Sequence, residues 1–122
     1  MQLKWIDGNF SVCRLYEAPA TPLPGSFAFY AKTDNELSLV CQTECVPESV
    51  QKREDGWCMF RIEGQLDFAL TGILAGISSI LANEKIGIFA VSTYDTDYIL
   101  IKEEQAQAAQ SVLQQHSYLF ME

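Results

Sequence analysis

Two stretches of the chain carry residue types suited to meeting a small polar ligand. The first is Leu70-Thr71-Gly72-Ile73, a glycine turn that opens a helix. A helix start has backbone N–H groups without intrahelical partners and the positive end of the helix dipole, so it can receive a carboxylate. Gly72 has no β-carbon and lets a ligand approach the backbone. The second stretch is Phe89-Ala90-Val91-Ser92-Thr93 with Asp95 just beyond it, a strand that ends in hydroxyl and acidic groups. Those groups can meet an ammonium or a polar side chain. Together the two stretches describe recognition of a small molecule rather than chemistry on it.

Other constellations are weaker. Asp95 and Asp97 alternate along an extended segment and so fall on one side, but two carboxylates without further ligands make a poor metal site or acid–base pair. His116, the single histidine, falls at a helix end with no placed serine or cysteine nucleophile. Cys41 and Cys45 have C-x-x-x-C spacing, yet no second close pair and no nearby histidine completes a tetrahedral zinc set. Cys13, Cys41, Cys45 and Cys58 therefore read as reduced structural thiols, most of them in apolar strand-like runs. No phosphate-binding loop or dinucleotide fingerprint is present. The reading is a non-enzyme with no catalytic residue, no metal and no cofactor.

Sixteen acidic residues against eight basic ones give a net charge of -8 over 122 residues. Scattered Lys and Arg in an acidic chain do not build the clustered surface that phosphate backbones need, so nucleic acid is excluded as a partner. The longest apolar run, near Ile86–Val91, is too short to cross a bilayer, and the N-terminus lacks a signal-peptide core. A soluble, cytoplasmic protein with no membrane partner is expected.

The elements that must position these residues follow from periodicity. Asn9–Tyr16 alternates as a strand after a turn at Asp7–Gly8, and Glu17–Gly25, with three prolines, is a loop. Residues 27–31 and 37–41 form a hairpin about the Thr33–Glu36 turn. Pro47 opens a short helix to Arg53, closed at Asp55–Gly56. Residues 57–62 form a strand. The stripe Leu70, Ile73, Leu74, Ile77, Ile80 and Leu81 then has helical spacing. Strands at Ile86–Ser92 and Tyr98–Ile101 flank a connection and, being β-branched and apolar, are expected at the centre of the sheet. A second helix follows from Glu103–Glu104 to Gln115, and residues 118–120 close the domain as an edge strand.

Residues 57–120 thus read strand, helix, strand, strand, helix, strand, with both helices on one face of an antiparallel sheet. The runs Asp67–Ile77 and Ile86–Tyr98 resemble an ACT domain, the ferredoxin-like (βαββαβ) α+β module that senses amino acids. More narrowly, Val91–Glu104 resembles bacterial tandem-ACT proteins related to the regulatory part of aspartate kinases and to eukaryotic cytosolic arginine sensors. The likeness extends to Phe10–Leu15, Thr33–Val40 and Gly56–Trp57. It implies two ACT-like units in tandem, a reduced N-terminal unit over 1–55 and a complete ACT domain over 56–122. It further implies a ligand, an amino acid, held at Leu70, Thr71, Gly72 and Ile73 and along Phe89, Ala90, Val91, Ser92 and Thr93. A homodimer through paired ACT sheets is implied as well. The alternative reading is a structural or protein-interaction subunit that keeps the fold without a ligand.

Overall fold

Period-two alternation sets the strands and helical spacing sets two helices, and the computed structural model describes residues 1–64 and 71–122. In chain order these are β1 (Gln2–Leu15), β2 (Ala28–Lys32), β3 (Leu37–Gln42), β4 (Lys52–Ile62), α1 (Ile73–Asn83), β5 (Ile88–Ser92), β6 (Asp97–Lys102), α2 (Ala106–Gln115) and β7 (Leu119–Phe120). Single 3₁₀ turns follow β3 at Thr43–Cys45 and β6 at Glu103–Gln105. The chain forms two compact units: a continuous one, Gly8–Trp57, and a discontinuous one, Met1–Asp7 with Cys58–Glu122.

In the discontinuous unit the strands lie in the order β7, β1, β4, β6, β5. β7 pairs with the start of β1 in parallel, Gln2 opposite Leu119, whereas β5 and β6 are antiparallel. Both helices pack on one core: Ile77 and Leu81 of α1 and Ala109, Val112 and Leu113 of α2 meet Leu3, Phe60, Ile99 and Ile101 from the strands. Each large side chain buried there contributes about 1.5–3 kcal/mol as an upper bound. Trp5 stacks on Phe120 at 5.5 Å and meets Phe60 edge-on at 5.2 Å, and its indole N–H donates to the Gln110 side chain at 2.8 Å.

Both helices end in the same motif. Lys85 and Ser117 take left-handed conformations (φ 60° and 71°), and the next amides, Ile86 and Tyr118, donate back to the carbonyls of Leu81 and Leu113 at 3.0 and 3.1 Å. These bonds satisfy carbonyls that the last helical turn leaves open, and the apolar residue after each cap folds onto the helix.

The continuous unit orders its strands β2, β3, β1, β4. Its core joins Cys13, Leu15, Leu39 and Cys41 to the half-buried Leu23, Leu37, Cys45, Val46 and Val50. All four thiols are unbonded. Burial, with Cys13 and Cys45 nearby, pushes the Cys41 thiol up to about 11. Ser11 is fully buried and bonds the Thr43 hydroxyl and the Asp55 carboxylate.

Four sequence expectations need correction. β1 runs straight through Asp7–Gly8, expected as a turn. Pro47–Arg53 forms no helix: Val46, before the proline, is extended (φ -64°, ψ 130°), as that position favours. β4 then begins at Lys52 and passes through Asp55–Gly56, because this stretch pairs with β1, starting from the Gln51 amide on the Arg14 carbonyl at 2.8 Å. Finally, β5 lies at the edge of its sheet order rather than the centre, and all five of its residues are exposed or only partly covered. The predicted helical residue Leu70 lies outside the described residues.

The two hairpins repeat one another sixty positions apart. Phe29 faces Val40 as Phe89 faces Leu100, and Lys32 faces Leu37 as Ser92 faces Asp97. Each turn is closed by a threonine amide on the carbonyl three residues on, Thr33 to Glu36 at 3.0 Å and Thr93 to Thr96 at 2.8 Å. Gln42 and Lys102 then enter their 3₁₀ turns with nearly identical torsions, -59°/139° and -58°/140°.

Candidate functional site

α1 begins at Ile73 on a left-handed Gly72 (φ 78°, ψ 0°). That torsion is open to glycine and strained for other residues. The first turn of the helix has no acidic residue, and among the described residues no side chain caps it and a β-carbon at Gly72 would meet nothing within 4 Å. The Gly72 carbonyl accepts the Gly76 amide at 2.9 Å, so the amides that enter the helix ahead of Gly76 have no carbonyl within it to bond. This is the arrangement that suits an incoming anion.

The C-terminal motif of α1 turns the chain back into β5. Eleven helical and five extended residues each span about 16 Å. β5 ends at Ser92, and the Thr93–Thr96 turn follows it. Here the Thr93 hydroxyl donates to the Thr96 carbonyl at 2.9 Å, and the buried Thr96 hydroxyl donates to the Ile62 carbonyl at 2.8 Å. The turn is thereby tied to the end of β4.

The predicted residues divide by face. Ile99 and Ile101 belong to the helix-side core, so their partners Ala90 and Ile88 share that side, with Ser92 two residues on. Phe89 and Val91, opposite Leu100 and Tyr98, share the other. The Ile73 side chain packs into the core. Thr71, Gly72, Ser92, Thr93 and Asp95 are exposed, and Leu70 lies outside the described residues.

Asp95 also lines a polar cavity of about 230 Å³ with Arg61, Glu63, Gly64, Thr96 and Tyr98. The Arg61 guanidinium donates to Glu63 at 2.9 Å and to the Tyr98 hydroxyl at 3.4 Å. Those hydrogen bonds, Tyr98 first, raise its pKa above the ordinary value against the effect of burial, so the cation is fixed. One guanidinium against two carboxylates leaves the cavity net negative. Sequence reasoning missed Arg61, Glu63 and Tyr98. The signal was the alternation Phe60-Arg61-Ile62-Glu63, which places two charges on the face away from the core.

Of the side constellations, His116 caps α2 through its Nδ1 and the Val112 carbonyl at 3.0 Å. Among the described residues no group of three or more His, Cys, Asp or Glu is arranged to hold a metal ion. No helix among them is long and apolar enough to cross a membrane.

Comparison with known proteins now decides the family. The model of the ACT domain matches residues 52–115, the segment that holds α1, both strands of the second hairpin and the cavity. The chain belongs to the ACT-domain family. ACT domains are generally regulatory, ligand-binding modules rather than catalytic ones. A solved Agobacterium tumefaciens protein is 32% identical over 98% of this chain and 91% of its own, with a TM-score of 0.88. A Vibrio cholerae protein of unknown function, described as a possible transport protein, is 19% identical over 91% and 85%, TM-score 0.74. Aspartokinase alpha and beta subunits share the fold at 15% identity over 94% and 96%, TM-score 0.64. No curated protein sequence matches this ACT-domain chain.

Proposed function

We propose that this chain is a regulatory module whose C-terminal ACT unit binds an amino acid, with the carboxylate at the start of α1 and the ammonium toward Asp95. The observation that carries the reading is the left-handed Gly72 that starts α1 without a side-chain cap of its own, and the matched lengths of α1 and β5 support placing the Ser92–Thr93–Asp95 strand end near it. A zwitterion places opposite charges a few ångströms apart, and the two offer amide donors and a carboxylate. Thr71, Ser92 and Thr93 supply hydroxyls beside them, while Arg61 stays held by Glu63 and Tyr98.

The repeated hairpin and 3₁₀ turn support a tandem reading, with a reduced unit over 1–55 and a complete one over 56–122, the first lending Met1–Asp7 to the compact unit of the second. Edge strands on the ACT sheets support assembly into a homodimer, through which occupancy would alter a partner or the assembly itself.

Calorimetric titration of the folded chain against the twenty amino acids at millimolar concentration tests this. Heat with at least one is expected, and Asp95→Asn is expected to weaken that binding by about tenfold or more, the cost of a lost charge-assisted hydrogen bond. A folded chain that gives no heat with any of them overturns the reading in favour of a structural or protein-interaction subunit.

A further inference from the structure

The repeat breaks down ahead of the first hairpin. Only residues 16–27 separate β1 from β2, whereas residues 63–87 separate β4 from β5 and include α1. A segment this short, with prolines at 19, 22 and 24, cannot form an eleven-residue helix and the two connections it needs. In the discontinuous unit, α1 brings Ile73, Leu74, Ile77, Ile80 and Leu81 to the core. In the continuous unit the short segment brings Leu23.

A cavity of about 390 Å³ remains, walled by Leu15, Pro19, Pro22, Pro24, Cys45 and Pro47, with Glu17 and Ser49 among its polar lining. Its volume falls in the range of small-molecule sites, about 300–1,000 Å³. Each proline fixes its own φ, which narrows the conformations open to the walls. The far end of the segment is pinned where the Ser26 amide donates to the Gln42 side chain at 3.0 Å. Gly25, at φ 77°, packs so closely there that a β-carbon would collide with the Gln42 amide.

We propose that this cavity is a second binding site, for a small aromatic amine. Four proline rings present electron-poor C–H groups that pack against the negative face of an aromatic ring, the contact used when proline-rich segments meet aromatic surfaces. Glu17 is the carboxylate of the lining, and the chain carries a net charge of -8. A cationic amine is therefore favoured and a carboxylate-bearing ligand is repelled. This selectivity differs from that of the amino-acid site, and the proposal stands independently of it.

The test is amide NMR of the full chain titrated with tryptamine, indole and indole-3-acetate. Saturable shifts are expected at Ala18, Ala20, Cys45 and Ser49, strongest for tryptamine and weakest for the acetate. Glu17→Gln, at an exposed position, should reduce tryptamine affinity about two- to fivefold, to that of indole, the effect of one exposed ion pair. Cys45→Phe, which fills the cavity from its wall, should abolish the shifts. Absence of saturable shifts at these four residues in the folded chain overturns the site, as does binding centred on Trp5 or on Thr93–Tyr98. Equal affinity for all three probes overturns the assignment to an amine.

Discussion

The hairpins Ala28–Cys45 and Ile88–Gln105 follow one plan, down to the threonine that closes each turn and the torsions that open each 3₁₀ turn. What lies over them differs. The second belongs to a unit with two packed helices, while the first shares its core with a proline segment and the extended residues after Cys45. Turn chemistry is local and survives a change of context. A helical layer needs chain length and an apolar stripe, and without these the same sheet order is left with a cavity.

The comparison can be broken most forcefully at the core. Ile77→Ala removes a fully buried side chain from α1 and is expected to cost about 2–5 kcal/mol in denaturant unfolding. Leu23→Ala, at the half-buried residue that replaces the helix, should cost less than about 1.5 kcal/mol. Equal losses would show that the proline segment packs as tightly as the helix.

Next in size is the effect of alkali on the continuous unit. The Cys41 thiol stands at about 11 against an ordinary 9.0, so the folded chain holds this proton more tightly than the unfolded one. Its stabilisation is complete below pH 9 and is lost as pH rises from 9 through 11, a change of about 2–3 kcal/mol. Cys41→Ala should remove that increment from the pH dependence of stability. An unchanged profile would refute the assignment.

The turns give the smallest contrast. Thr96→Val deprives the Ile62 carbonyl of a buried donor and should cost about 1–3 kcal/mol. Thr33→Val, whose hydroxyl bonds only turn backbone at an exposed position, should cost about 0.5–1 kcal/mol by thermal or denaturant unfolding.

Much of this was legible in the residues. The stripe through Ile77 and Leu81 announced α1, Thr33–Glu36 announced a hairpin, and the three prolines announced a loop where the repeat fails. The end of α2 at Gln115 was legible too, although Lys85 and Ser117, after the two helices, occupy left-handed positions that glycine usually marks. The Pro47 helix was misread. Residues 52–55, Lys-Arg-Glu-Asp, are poor strand formers, and pairing with β1 overrides their local preference. At the candidate site Gly72 and the Ser92–Asp95 strand end were readable from residue type. Arg61 and Tyr98 were not, since their meeting depends on β4 and β6 lying side by side.

The parallel pairing of β1 with β7 also orders events in synthesis. Gly8–Trp57 is continuous and can collapse once it has emerged, but the remaining unit closes only when Leu119 and Met121 reach the carbonyls of Met1 and Leu3. The start of β1 must wait for β7, so the ACT unit completes later than the continuous one. That long-range closure makes its final step the slow one.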